Sequence, residues 1–192
     1  PAPFACVVEQ SAPYPNGIPY VGVHGGAANN DYVACETAPR FEQRWHAMKG
    51  AAIAQPNTFS PDGETLYLTS SQPAEGDCTV WALNAADGAV KWCRAYDSET
   101  LWSAVEVDLD GYLYLTTAGA VVSLNADGSD RWQRQMPAGV DPERENGAVG
   151  LHFTPDGHVA TVTDQGTVVL LKRAEGQILA TLSIPEVYWR AL

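Results

Sequence analysis

Apolar and polar residues alternate along the chain in short runs that turn residues separate. The runs ETLYLTS (64–70) and GYLYLTTA (111–118) mix leucine, aromatic and β-branched residues, and their alternation is typical of half-buried strands. A short break leads from each to a second apolar run, CTVWAL (78–83) or AVVSL (120–124). An Asp-Gly pair closes the turn before the first run of each unit. The pattern therefore predicts an all-β chain of short antiparallel strands.

This strand pattern repeats along the chain at a period of about 45 residues. Three copies of one motif align with one another, namely WALNAADGAVKW at 81–92, VSLNADGSDRW at 122–132 and VLLKRAEGQIL at 169–179. Upstream of each copy lies a second shared element with an Asp-Gly pair, at Asp62, Asp110 and Asp156. A repeat of this length indicates propeller blades or another repeat array. Four antiparallel strands in each unit would make one blade.

We therefore predict a β-propeller segment over residues 1–192 with about four blades. The segments 101–107 and 147–153 are examples of first strands, in blades 3 and 4. The fourth strands of blades 2 and 3 end at Trp92 and Trp132. The expected boundaries are about 1–50 for blade 1, 51–98 for blade 2, 99–137 for blade 3 and 147–184 for blade 4.

The first 50 residues fit this repeat more loosely. Their first three strands are expected at FACVVEQ (4–10), IPYVGVHG (18–25) and DYVACE (31–36). A fourth strand, EQRWHA (42–47), would place Trp45 in the role of Trp92. Blade 1 is thus counted by analogy with the other three.

The motif Ala-x-Asn-x-x-x-Gly-x-x-x-Trp at 82–92 resembles the tryptophan-docking motif of the PQQ-like, or quinoprotein-type, β-propeller family, in which Asp takes the place of Asn. The resemblance implies that Trp45, Trp92 and Trp132 each pack against the neighbouring blade. Trp81 and Trp102 lie outside this position and are expected to be freer of such packing constraints. On this basis Trp92→Ala should destabilise the fold more than Trp81→Ala.

The segment EVYWRAL (186–192) matches ETLWSAV (99–105) at its Glu, Trp and Ala positions. Because the earlier copy leads into the first strand of blade 3, the later one is expected to begin a fifth blade. Relatives in the family usually have seven or eight blades, so the remaining blades are expected from another segment or a partner chain. Alone, residues 1–192 should associate or be poorly soluble, because an unfinished propeller exposes sheet edges.

The charge of the chain narrows the choice of partners. It has 11 Lys and Arg against 23 Asp and Glu, a formal net charge of -12. Such a field repels phosphate backbones and anionic lipid, which argues against nucleic acid as a partner. No apolar run approaches the roughly 18 residues of a membrane span, so membrane insertion is not expected. The start PAPFAC is consistent with a mature, processed end, although an artificial boundary would look the same.

The chain has four cysteines, at Cys6, Cys35, Cys78 and Cys93. No Cys-x-x-Cys pair or His cluster accompanies them, so a metal site is not predicted. An even count at wide spacing favours disulfides and hence an extracellular or periplasmic location. The sequence allows three connectivities. If the hairpin closes over a four-residue turn at 84–87, Cys78 falls opposite Cys93 and within disulfide reach, which leaves Cys6 to pair with Cys35.

Candidates for chemistry are few. Asp108-x-Asp110-Gly111 could begin a calcium loop, but its downstream Glu is missing, and its alignment with two plain turns favours a structural role. The pair Asp127 and Asp130 fails in the same way. The histidines are scattered and are interpreted as structural or solvated, namely His24, His46, His152 and His158.

Loops carry function more often than strands, and two are irregular enough to be candidate sites. One is GVHGGAANND (22–31) within blade 1, and the other is PAGVDPEREN (137–146) between blades 3 and 4. No catalytic residue can be assigned from the sequence.

The leading hypothesis is a secreted or periplasmic propeller segment that acts as a non-catalytic binding or scaffold module without a cofactor. The resemblance also implies an alternative, the N-terminal part of a quinoprotein oxidoreductase that would use pyrroloquinoline quinone and calcium. A hydrolase or lyase built on a propeller is a third class that the sequence leaves open.

Overall fold

The structure is a computed structural model and describes residues 42–49, 51–53, 55–70, 78–96, 103–117 and 119–184. Within these ranges the chain has twelve strands and no helix, and the strands form three four-stranded antiparallel sheets. Consecutive strands are neighbours in every sheet, as in the blades of a propeller. The predicted all-β, bladed fold is confirmed. The described ranges contain no helix of the length and apolarity that a bilayer crossing requires.

The first sheet contains β1 (Thr58–Phe59), β2 (Thr65–Thr69), β3 (Val80–Asn84) and β4 (Val90–Arg94). The second sheet contains β5 (Glu106–Val107), β6 (Leu113–Thr117), β7 (Ala120–Leu124) and β8 (Asp130–Gln135). The third sheet contains β9 (Ala148–Phe153), β10 (Val159–Thr163), β11 (Thr167–Leu171) and β12 (Ile178–Ser183).

The turn between β3 and β4 is longer than the sequence suggested. Leu83 pairs with Val90 rather than Gly88, and the ladder shifts by one residue between Ala82 and Leu83. Asn84 explains the difference, because its side-chain oxygen accepts the Ala86 N–H at 2.9 Å while its backbone N–H reaches the Ala89 carbonyl at 2.8 Å. These bonds hold a wider loop closed. The predicted pairing of Leu83 with Gly88 is therefore wrong.

The sheets pack face to face through apolar side chains. One core lies between the first two sheets and includes Tyr67, Val80 and Leu113, and another lies between the second and third sheets and includes Tyr114 and Leu151. Strands β6 and β7 are buried throughout, because the second sheet is covered on both faces. The middle sheet therefore reads as continuous apolar runs rather than as strict alternation.

Trp81 is not the freer residue that the sequence suggested. It is 5% exposed and packs with Leu66, Leu68 and the Cys78–Cys93 disulfide, and its indole N–H donates to Ser70 Oγ at 3.2 Å. Trp92 is only half-buried. The expected order of their alanine variants therefore loses its physical basis, since the more buried ring leaves the larger cavity.

Several expectations fall on residues outside the described ranges. They include the first three strands of blade 1 and the start of a fifth blade at 186–192. Residues 42–47, expected as the fourth strand of blade 1, lie outside the twelve strands. Trp45 within them nevertheless packs against the first sheet.

Candidate functional site

Trp92 crosses from the first sheet to the β7–β8 turn of the second. Its indole Nε1–H donates to the Ala126 carbonyl at 2.9 Å, and its ring lies over Gly128. Gly128 has φ +83, and a Cβ at this position would lie 2.8 Å from Trp92 Cδ2. Glycine is thus required both by the backbone conformation and by the approach of the ring.

The same contact recurs at two other turns. Trp45 donates to the Ala85 carbonyl at 3.0 Å and lies over Gly88, and Trp132 donates to the Arg173 carbonyl at 3.1 Å and lies over Gly176. In each case the ring belongs to a segment that precedes the turn by one blade. The geometry explains the spacing of the motif, because the Trp ring of one copy packs over the Gly of the next copy along the chain.

Two arginines extend the tryptophan contacts, and our sequence analysis missed them. Arg94 Nη1 donates to the Gly128 carbonyl at 2.8 Å, and Arg134 Nε donates to the Gly176 carbonyl at 2.6 Å. Arg94 also pairs with Asp130 at 2.8 Å. These arginines follow Trp92 and Trp132 by two residues, and the fourth strands therefore continue beyond the tryptophans. The repeated Trp-x-Arg pattern was visible in the sequence and could have revealed this role.

The Cys78–Cys93 disulfide is present, with the two Cα atoms 5.7 Å apart. Its register differs from the prediction, because Cys93 lies opposite Trp81 rather than opposite Cys78. Cys78 precedes β3 and reaches Cys93 diagonally. The Cys6–Cys35 pairing lies outside the described residues.

Asp108 lies at the centre of a buried polar network between the second and third sheets. The carboxylate is fully buried, and its Oδ1 accepts the backbone N–H groups of Asp110 and Tyr112, both at 2.9 Å. Its Oδ2 accepts the Tyr114 hydroxyl at 2.7 Å and Arg173 Nη1 at 2.5 Å. With four donors on two oxygens, Asp108 is a structural acceptor and an ion-pair partner rather than an open calcium ligand.

Arg131 completes this network from β8. Its guanidinium lies 3.6 Å from the centre of the Tyr112 ring and donates to the Tyr114 hydroxyl at 3.0 Å and to Ser123 Oγ at 2.8 Å. Burial, followed by the hydrogen bond and the charge of Asp108, raises the pKa of Tyr114. The hydroxyl therefore stays protonated and donates to Asp108, which lets one buried carboxylate join two blades.

The second acidic candidate pair is also used locally. Asp127 Oδ1 accepts the backbone N–H of Ser129 at 2.9 Å and its hydroxyl at 2.6 Å, and these bonds lower the pKa of Asp127. Asp130 is occupied by Arg94. Across the described ranges, no group of three or more His, Cys, Asp or Glu converges in a way that could hold a metal ion. The described donor set therefore does not fit a calcium site.

A cavity of about 550 Å³ lies in the seam between the first and second sheets. The first sheet and its β1–β2 turn contribute Ser60, Asp62, Tyr67, Lys91 and Trp92. From the second sheet come the β5–β6 turn, residues 109–111, and the β7–β8 turn at residues 126 and 127. The wall thus combines two aromatic rings with charged side chains of both signs. Trp92, Asp110 and Asp127 were singled out in the sequence and line this cavity, but the sequence did not predict the cavity itself, because its two walls are far apart in the chain.

The candidate loop 137–146 is held in place by the β10–β11 turn. Gln165 Oε1 accepts the Asp141 N–H at 2.8 Å, and its amide donates to the carbonyls of Arg144 and Glu145 at 3.2 and 3.3 Å. The loop lines a cavity of about 320 Å³. Asn146, the last residue of the loop, is part of this lining. Its Nδ2 donates to the Pro137 carbonyl at 2.9 Å, while its buried Oδ1 accepts no hydrogen bond. This second cavity is a polar, loop-built depression.

The three histidines within the described ranges are not brought together. His46 follows the docking Trp45, and His152 lies on β9. His158 lies directly before β10, and its Nε2 is 3.7 Å from the Asp156 carboxylate. His24 and the other candidate loop, 22–31, lie outside the described residues.

Solved structures with a similar fold include BamB from Moraxella catarrhalis, with a TM-score of 0.53 and 16% identity over 73% of this chain and 40% of that one. They also include the quinohemoprotein alcohol dehydrogenase ADHIIG from Pseudomonas putida HK5, with a TM-score of 0.53 and 18% identity over 72% of this chain and 22% of that one. The chain therefore spans less than half the length of either protein.

Both solved structures are PQQ-like β-propellers, and this chain has the same fold, as its repeat motif indicated. Similarity at this level of identity concerns the fold alone. No protein-family model and no curated protein matches the sequence.

Proposed function

We propose that this chain is a secreted or periplasmic β-propeller segment that acts as a non-catalytic binding or scaffold module in a protein complex. The observation that carries this proposal is a half-exposed apolar face on the third sheet. The disulfide supports an oxidising compartment. BamB, one of the structurally similar proteins, supplies a precedent for the fold.

No sheet among the described residues covers the outer face of the third sheet, which resembles one half of a blade seam. Val169 and Leu171 point to the second sheet, so by strand alternation Val168 and Leu170 point the other way. Both are half-buried, and Leu182, which pairs with Val168, is 62% exposed. A contiguous apolar sheet face of this kind marks a surface for association.

This face differs from the other seams in its outer strand. Ala180 occupies the register position of Trp132, and Leu182 occupies that of Arg134. The third sheet therefore offers a small residue and a leucine where the second sheet offers a docking tryptophan and arginine. We propose that its occupant is another β-sheet, from further blades or from a partner chain, which packs by apolar contact alone.

The proposal is tested by the concentration dependence of molecular mass. Without a partner, residues 1–192 should associate through this face, so sedimentation velocity should show a mass that rises above 20.6 kDa with concentration. Leu182→Lys should suppress this rise. Val90→Lys is the matched control, because Val90 is 53% exposed on the first sheet. A wild-type chain that stays monomeric, or equal suppression by the control, would contradict the proposal.

The alternative is that the chain is part of a quinoprotein oxidoreductase, for which the alcohol dehydrogenase is the structural precedent. The two proposed functions differ in whether the purified chain retains pyrroloquinoline quinone. The purified chain is mixed with pyrroloquinoline quinone, with and without calcium, and then dialysed. We expect no stoichiometric quinone absorbance to remain. Retention of one quinone per chain in the presence of calcium would overturn the non-catalytic assignment.

A further inference from the structure

One blade seam in this protein can be compared directly with another, because the sheets repeat the same turn positions. The carbonyls of Ala126 and Arg173 accept the indole N–H groups of Trp92 and Trp132, so these two residues are equivalent. Ser60 and Asp108 are also equivalent, since each closes the turn before the second strand of its sheet through its own backbone N–H. The equivalent positions carry different side chains.

The seam between the second and third sheets is filled by an arginine. Arg173 reaches back from the third sheet and donates to Asp108 at 2.5 Å and to Asp110 at 3.4 Å. Its guanidinium lies beside the Tyr114 hydroxyl, since both bind Asp108 Oδ2.

The described part of the seam between the first and second sheets has no arginine at the position equivalent to Arg173. Alanine at 126 and serine at 60 replace the arginine and the buried aspartate, and the cavity of about 550 Å³ lies at this position. Its size is within the usual range of ligand sites. The space that a guanidinium occupies in one seam is therefore open in the other.

The lining of this cavity suits a cationic side chain. Asp62 and Asp127 contribute two carboxylates, and Asp110, which also pairs with Arg173, contributes a third, while Lys91 supplies one ammonium group. Hydrogen bonds from Ser60 Oγ and the Glu64 N–H hold the pKa of Asp62 below its usual value, so this carboxylate is ionised at neutral pH. The rings of Tyr67 and Trp92 lie 6.0 Å apart in this lining. Tyr67 is buried, whereas the half-buried Trp92 provides an aromatic face of the kind on which guanidinium groups stack.

Lys91 does not exclude a second cation from this space. Its Nζ already donates to Thr65 Oγ1 at 2.6 Å and to the Glu64 carbonyl at 3.2 Å. The equivalent residue in the other seam is Arg131, which precedes Trp132 as Lys91 precedes Trp92. There Arg131 and Arg173 both lie within one polar network around Tyr114 and Asp108.

We propose that the cavity between the first and second sheets binds an arginine side chain of a partner polypeptide. The guanidinium would lie against Trp92 and pair with Asp62, much as Arg173 pairs with Asp110 in the next seam. This site is separate from the apolar face of the third sheet, so each can be tested alone.

The test is a titration of the full chain with the peptide acetyl-Gly-Arg-Gly-amide, followed by the NMR signal of the Trp92 indole N–H. We expect a saturable shift with the arginine peptide and a much weaker one with lysine or citrulline in its place, because lysine lacks the planar fork and citrulline lacks the charge. Equal binding of all three peptides, or no shift at millimolar arginine peptide, would overturn the proposal.

The variant Ala126→Arg supplies the missing side chain from within the chain. It should weaken binding of the arginine peptide by about tenfold or more. Ala89→Arg is the matched control, because it adds the same charge at an exposed alanine outside the cavity. Asp62→Asn removes one carboxylate and should also weaken binding, which provides a second variant if Ala126→Arg does not fold. Wild-type affinity in both Ala126→Arg and Asp62→Asn would refute the site.

Discussion

At the scale of single residues, the glycines beneath the docking tryptophans are the most constrained positions. Gly128 combines a left-handed backbone with a ring that leaves no room for a Cβ. Gly157 has nearly the same backbone angle, φ +82, but nothing lies within 4 Å of its missing Cβ. The two positions therefore separate the cost of the backbone from the cost of the contact.

We predict that Gly128→Ala lowers the free energy of unfolding more than Gly157→Ala does. Both variants carry the backbone cost of about 1–2 kcal/mol for a left-handed L-residue. Gly128→Ala adds overpacking against Trp92, typically about 1–3 kcal/mol. Denaturant titrations of the two variants measure the difference, and equal midpoints would show that the ring moves aside without cost.

Tyr67 gives the protein a dependence on alkaline pH. Desolvation by burial raises the pKa of this hydroxyl from 10.0 to about 12, so the folded state favours the protonated form. Stability from this residue is therefore complete below pH 10 and is lost as the pH rises from 10 towards 12. Between about pH 9 and 11, the wild type should lose about 1 kcal/mol of unfolding free energy relative to Tyr67→Phe. Parallel pH profiles for the two proteins in urea titrations would contradict this assignment.

At the scale of strands and turns, the β3–β4 hairpin is held by both its ladder and its disulfide. The Cys78–Cys93 bond spans a sequence separation of 15 residues. By the chain-entropy model, a loop of this length stabilises the folded state by about 3 kcal/mol.

We therefore predict that the double variant Cys78→Ala/Cys93→Ala lowers the free energy of unfolding by about 2–4 kcal/mol. Reduction of the wild type should move its denaturation midpoint in the same direction. A loss below about 1 kcal/mol would show that the ladder and the Trp81 packing alone hold the hairpin.

At the scale of the whole molecule, the net charge of -12 opposes compaction. Few ion pairs offset it in the described ranges, and Arg173 with Asp108 is the most buried of them. Screening should therefore stabilise the fold. We predict that the thermal midpoint rises between about 10 and 300 mM NaCl, where the Debye length falls from about 30 Å to below 8 Å. A midpoint that falls with salt would show that attractive pairs outweigh the repulsion.

Sequence pattern alone determined the strands of the three described sheets, the repeat and the propeller fold, because period-two alternation and Asp-Gly turns are local signals. The strand predicted at 42–47 lies outside the twelve strands. It also indicated the Cys78–Cys93 bond, although the register offered for it was wrong. The wider turn is closed by the Asn84 side-chain oxygen, which accepts the Ala86 N–H, and by the Asn84 backbone N–H, which donates to the Ala89 carbonyl. Spacing does not reveal which of several turns a short polar segment will adopt.

Only the tertiary structure decided what happens between the blades. The burial of Trp81, the ion pair of Asp108 with Arg173 and the cavity beside Trp92 all depend on residues that lie 11 to 65 positions apart. Asp108 is the clearest case, since its sequence context is that of a plain turn, like those at Ser60 and Thr154. Its role comes from Arg173, which the stacking of two sheets brings to it. The repeated sequence determines the blades. The contacts between blades decide what the side chains at equivalent positions, such as Ser60 and Asp108, do in the structure.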